Sequence, residues 1–168
     1  EEFAVSYTKI WQSLFRQKLG LTTIEDSDIH LIERLLQAMH DSRVDFTYFF
    51  RQLSQVRQEQ ETQTIGLRDH FLDRESIDRW FTDYINRLKS ENSSDEARQR
   101  AMNLVNPKFV LRNHLAQGAI DKAKQHDFSE VQTLLKILAN PYDEQVEYDS
   151  YAMPPPPDIE RVEVSCSS

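Results

Sequence analysis

One cysteine in 168 residues, Cys166, leaves no partner for an internal disulfide. A disulfide framework is thereby excluded, and the composition fits a reducing compartment, so the expected location is cytoplasmic. Glycine is nearly as scarce: Gly20, Gly66 and Gly118 are the three in the chain, each isolated. None precedes the Lys-Ser/Thr of a phosphate-cradling loop. Four of the six prolines stand together at Pro154 to Pro157, and Pro107 is the only one between Glu1 and Ala139. Such a shortage of breakers allows long helices. β-branched alternation is rare, so strands are expected to be nearly absent until the end. No apolar run approaches the roughly 20 residues that span a bilayer, and no signal-peptide pattern is visible. Kinase motifs of the His-Arg-Asp and Asp-Phe-Gly type are missing. Asp127-Phe128 is followed by Ser129 and reads as a helix start.

What is present is acidic and amphipathic. The formal net charge is −8, with 29% charged and 39% hydrophobic residues. A phosphate backbone or an anionic membrane needs a basic surface, so neither nucleic acid nor membrane is an expected partner. The length suits one domain of ordinary size.

Apolar periodicity predicts an all-α fold, an irregular bundle of about seven helices with an extended C-terminal tail. Tyr7, Ile10, Trp11, Leu14 and Phe15 share a helical face ending at Gly20. A second helix starts near Asp26 to Asp28, acids that suit the positive end of its dipole. Asp45 can cap a third, with Phe46, Phe49, Phe50 and Leu53 on one face and Val44 stapled onto Phe49. Val56 to Thr64, rich in Gln and Glu, reads as a loop or hinge, with continuation of the helix as the alternative. Ser76 is the expected cap of the cleanest helix, in which Ile77, Trp80, Phe81, Tyr84, Ile85 and Leu88 form the stripe and Trp80 is buried. Ser94 introduces a helix that Asn106-Pro107 ends. Phe109 to Gln125 and Ser129 to Ala139 are expected to pair as a hairpin across His126-Asp127-Phe128, with a capping box of Ser129 and Gln132. Val131, Leu134, Leu135 and Leu138 would face Leu111, Leu115, Ala119 and Ala123. Residues 1–141 thus read as a helical domain and 142–168 as an acidic, proline-rich tail, in which Arg161 to Val164 could add a short strand.

Candidate chemistry is sparse. His30, His40, His70, His114 and His126 are scattered, and no metal ligand set is assigned. Asp41 to Phe50 has the acidic start of a calcium loop but lacks its central glycine and final glutamate. Asp69, Asp73, Glu75 and Asp78 alternate with Arg68, Arg74 and Arg79, which describes a charged surface. Lys108, Arg112 and Asn113 follow a proline turn. Either they bind an anion at a helix start or they tie the hairpin to a neighbouring domain, and the second is preferred because nothing Gly-rich lets a phosphate approach. No catalytic or cofactor-binding residue is assigned within the chain.

Three blocks carry a family likeness: Asn106-Pro-Lys-Phe-Val-Leu-Arg-Asn-His-Leu-Ala-Gln117, Asp127-Phe-Ser-Glu-Val-Gln-Thr-Leu-Leu135 with Asn140-Pro-Tyr-Asp-Glu144, and Pro154 to Ser168 ending Ser-Cys-Ser-Ser. Together they resemble the C-terminal region of the SelO (selenoprotein O) family of kinase-like protein adenylyltransferases. The resemblance implies a longer protein with its nucleotide site upstream, and a start at Glu-Glu-Phe without methionine fits an excised piece. It implies transfer of AMP from ATP, with Mg²⁺ or Mn²⁺, to protein hydroxyls. The implied partners are the upstream kinase-like domain of the same protein and the protein substrates. On that reading this chain is a scaffold and regulatory fragment. The residues alone leave a second reading, a stand-alone helical protein-interaction module.

The resemblance also gives Cys166 a role, because some members carry selenocysteine at the matching place. An accessible thiol two residues from the chain end suits reversible redox chemistry. The expectation is a disulfide with a cysteine of the upstream lobe that tunes activity. In a full-length protein, Cys166→Ser should abolish any difference in activity between oxidised and reduced samples. A mutant that still responds to reductant like its parent would contradict this role.

Overall fold

The computed structural model describes residues 2–59 and 64–155. Among these residues there are nine α-helices, one 3-10 turn and no strand. Cys166 and the strand expected at Arg161 to Val164 lie outside the described residues. The chain divides into two compact units, Glu1–Asn106 and Pro107–Ser168.

The larger unit holds α1 (Glu2–Leu19), α2 (Asp28–Ser42), α3 (Phe46–Leu53), α4 (Thr64–Arg68), α5 (Arg74–Ser90) and α6 (Asp95–Val105). The starts of α3, α5 and α6 carry side-chain caps. Asp45 accepts from the Tyr48 amide at 2.8 Å and Ser94 from the Ala97 amide at 3.2 Å, as expected. The cap of α5 is Asp73, which accepts from the Ser76 amide at 3.0 Å, so Ser76 is inside the helix and not before it. Aspartate competes well for this position, and its charge faces the positive helix end. Gly20 stops α1 with φ +72°. Its amide bonds the Gln17 carbonyl and the Leu21 amide bonds Arg16, the paired pattern of a left-handed glycine cap. A Cβ there would lie 2.5 Å from Arg98 Cγ, so the position needs glycine twice over.

Helices α2 and α5 pack side by side around Trp80. Trp80 is buried, as expected. Its indole stacks on Tyr84 at 5.0 Å and meets Phe49 and Phe81 edge-on. Both polar tips are satisfied: Trp80 Nε1 donates to the Leu31 carbonyl and Tyr84 Oη to the Leu19 carbonyl, each at 2.8 Å. The stripe of α1 is only half used. Trp11 and Phe15 pack against the core, but Tyr7, Ile10 and Leu14 are exposed, because α3 meets the helix only toward its end. The ends of α1 and α6 hold each other: Lys18 Nζ bonds Asn106 Oδ1 at 3.2 Å and Asn106 Nδ2 bonds the Lys18 carbonyl at 3.0 Å. Buried Arg51 donates to the carbonyls of Asn103 and Asn106, which α6 leaves open at its C-terminal end.

The smaller unit contains α7 (Asn113–Ala123), α8 (Ser129–Ala139), a 3-10 turn (Val146–Tyr148) and α9 (Asp149–Ala152). Three expectations need correction here. Helix α7 starts at Asn113 and not at Phe109: Arg112 is extended at φ −80°, ψ 150°, and the amides of Lys108 and Phe109 both donate to the Pro141 carbonyl. The cap of α8 is not a Ser129–Gln132 box; Asp127 accepts from the Ser129 amide at 2.9 Å. Leu135 and Leu111 are exposed, while Leu134, Ile137 and Ala119 are the buried residues of the hairpin helices. Leu134 and Ala119 thus face inward as expected, and Ile137 takes the place of Leu135. Residues 146–152 are also helical where extended chain was predicted.

Candidate functional site

The densest polar constellation was not singled out from sequence. It forms where the N-terminus of α2, the 20–27 connection and the C-terminal end of α5 meet. Arg87 Nε donates to Asp28 Oδ1 at 2.8 Å and Nη1 to Glu91 Oε1 at 2.6 Å. Nη1 also reaches Ser90 Oγ at 3.2 Å, and Nη2 reaches the Thr23 carbonyl at 3.0 Å and Asp28 Oδ2 at 3.5 Å. All five guanidinium protons therefore have an acceptor within the protein. The side chains of Asp28 and Glu91 are fully buried.

Glu91 is held from its other side by the connection. The backbone amides of Thr22 and Thr23 donate to it at 2.9 and 3.1 Å, and both threonine hydroxyls add to them. Burial by itself would raise this carboxyl; the hydrogen bonds from Thr22 and Thr23 outweigh it and hold the group down to about 2. Arg87 is pushed up from its ordinary value: burial lowers it, and the bonds to Asp28 and Glu91 more than offset that. Asp28 also accepts from the Glu25 amide at 3.1 Å, closing the turn that precedes α2.

A groove of about 440 Å³ opens beside this cluster, between α2 and α5. Its rim carries the Arg34–Asp83 ion pair at 2.7 Å, with His30 and Asn86 nearby. The cluster can hold three chain segments in one geometry. Its guanidinium has no donor left over for an incoming phosphate, and Arg34 is paired across the groove mouth.

The residues weighed from sequence fall into structural roles. Asp45 is a helix cap, and Asp41 accepts from Gln37 Nε2 on the same helix. The acids of the Arg-rich stretch pair locally: Arg68 with Asp78 at 2.6 Å, Arg74 with Asp69 at 3.3 Å, Arg79 with Glu75 at 2.6 Å. No group of three His, Cys, Asp or Glu that could hold a metal is found among the described residues. Lys108 and Arg112 both point to the C-terminal segment of their own unit: Lys108 Nζ bonds Asp149 Oδ1 at 2.6 Å, and Arg112 Nη1 the Tyr151 carbonyl at 3.4 Å. Cys166 lies outside the described residues. The missed signal for the central cluster is legible in hindsight. Arg87 and Glu91 continue the stripe of Trp80 and Tyr84 at helical spacing, so two charged residues occupy core positions.

Residues 1–139 match the family model described as protein adenylyltransferase SelO. The chain is 50% identical over 153 residues to a protein nucleotidyltransferase YdiU of Burkholderia multivorans, covering 91% of this chain and 29% of that protein. It is 48% identical over 163 residues to the protein of the same name in Herminiimonas arsenicoxydans, covering 97% and 33%. The Paraburkholderia xenovorans protein of that name is 50% identical over 153 residues, covering 91% and 30%. The chain belongs to the SelO family of protein adenylyltransferases. It spans about a third of the length of these curated relatives.

The Glu91 carboxyl sets a pH dependence. Its value in the folded chain, about 2, lies below its ordinary 4.5. The folded state thus binds this proton less readily than the unfolded state, and the stabilisation is complete above pH 4.5, declines below it and is gone below 2. Urea unfolding from pH 7 to pH 2.5 should show falling stability below pH 4.5. Glu91→Gln should be less stable at pH 7 by a few kcal/mol and should lose much of that slope. An identical slope in the mutant would contradict the assignment.

Proposed function

We propose that this chain is the helical scaffold of a protein adenylyltransferase whose catalytic groups lie in a part of the protein that precedes it. The whole protein would move AMP from ATP, bound with Mg²⁺ or Mn²⁺, onto serine, threonine or tyrosine hydroxyls of other proteins. The observation that carries this reading is the family match over residues 1–139. The relatives' name, protein nucleotidyltransferase, supports the same class of reaction. The state of the strongest cation cluster supports the division of labour, because Arg87 spends every donor on its own fold. Group transfer of this kind depends on positioning and charge stabilisation, so a rigid support can alter rate without touching nucleotide.

The reading predicts that isothermal titration of Mg-ATP into this chain gives no binding heat, while a protein of the relatives' full length binds ATP and labels protein substrates with AMP. Micromolar ATP binding by this chain alone would overturn the scaffold assignment.

A further inference from the structure

The segment from Glu144 to Ala152 is ordered into a 3-10 turn and a four-residue helix, yet neither element has a buried residue. Val146 is 71% exposed and Met153 49% exposed. Turns this short do not hold themselves together, since helix nucleation is unfavourable and nothing here propagates it. Apolar burial contributes only through Tyr148, Tyr151 and Ala152, which are half-buried, with the two rings edge-on at 6.1 Å. What remains is polar contact with the hairpin. Lys108 Nζ bonds Asp149 Oδ1 at 2.6 Å and Glu144 Oε2 at 3.1 Å, and it bonds the Glu144 carbonyl as well. It therefore grips the residues on both sides of the 3-10 turn. The lysine is itself well fixed: its side chain is only 13% exposed, and its amide donates to the Pro141 carbonyl at 2.8 Å. The other contacts are dispersed. Lys136 Nζ meets Tyr148 Oη and Tyr151 Oη meets Glu130, each at 2.8 Å, and the Arg112 contact to Tyr151 is long at 3.4 Å. Gln145 differs, because its amide bonds the carbonyls of Ile137 and Asn140 and so belongs to the end of α8.

We propose that residues 146–152 form a releasable strap on the α7–α8 hairpin, latched by Lys108 and hinged at Gln145. Its contacts are exchanged for water and ions when the lysine is neutralised or screened, whereas α7 and α8 keep Leu134, Ile137 and Ala119 buried. Opening moves the point from which the following residues depart from Met153 back to Gln145, and those eight residues add roughly 27 Å of reach at full extension. The strap thus sets how far from the hairpin the residues after it can extend.

Hydrogen exchange at second-scale labelling, read by mass spectrometry on the whole chain, tests this. In the parent, peptides covering 146–152 should exchange faster in 1 M NaCl than in 50 mM, with α8 unchanged. Lys108→Met should speed strap exchange about tenfold at low salt and remove the salt effect, as expected for loss of a charge-assisted contact. Asp149→Asn, at a half-exposed carboxylate, should give a smaller increase of the same kind. If Lys108→Met also loosens α8, the Asp149 variant decides. Strap exchange that ignores salt, or that matches the parent in Asp149→Asn and in a folded Lys108→Met, would overturn the proposal.

Discussion

A guanidinium with no spare proton organises the larger unit. Arg87 lies between two fully buried carboxylates, Asp28 and Glu91, and it also takes the carbonyl of Thr23. Removing three charges from water is costly, and the mutual attraction compensates only when the geometry is near ideal and every remaining donor is satisfied. Here the geometry is of that kind. It requires the start of α2, the 20–27 connection and the end of α5 to be in one place. Gly20 turns the connection at φ +72°, and its missing side chain lets Arg98 and Met102 approach. The aromatic core of Trp80, Tyr84 and Phe49 supplies the burial, which is non-directional. The ion cluster supplies the register.

The same economy of polar groups recurs across the chain. Lys18 and Asn106 fasten two helix ends, Arg51 closes α6, and Arg98 is held by Asp95 and the Val56 carbonyl. In the smaller unit Lys108 has a comparable place, but its partners are exposed and its hold is looser. A chain in this family, about a third as long as its relatives, has thus spent its strong cations on its own architecture.

Much of the helical fold was legible in the sequence. The spacing of Ile77 to Leu88 gave α5 its buried face, and Asp45 and Ser94 announced their helices, because caps and stripes are local. Other features depend on distant partners. Phe109 to Arg112 lie before α7 although their spacing fits a helix, and the Pro141 carbonyl, more than thirty residues away, accepts from the Lys108 and Phe109 amides. Leu135 had no way to declare itself exposed beside buried Leu134; one position on a helix separates them. Asp28 read as a dipole acid and Arg87 was not singled out, because the pairing that buries both spans 59 positions. The strap escaped notice for the same reason: its order comes from Lys108 and not from its own residues. The family likeness was legible from three motif blocks, whereas Cys166 lies where the structure offers no account.

The central claim, that the buried cluster fixes the larger unit through coupling rather than through the separate worth of its members, is tested most directly by a double-mutant cycle on Asp28 and Arg87. Urea unfolding of Asp28→Asn, Arg87→Met and the double mutant gives the three energies. The account predicts that Arg87→Met costs about 3–5 kcal/mol by stranding the buried carboxylates of Asp28 and Glu91, and that Asp28→Asn costs far less in the Arg87→Met background than in the parent. Additive losses would contradict it.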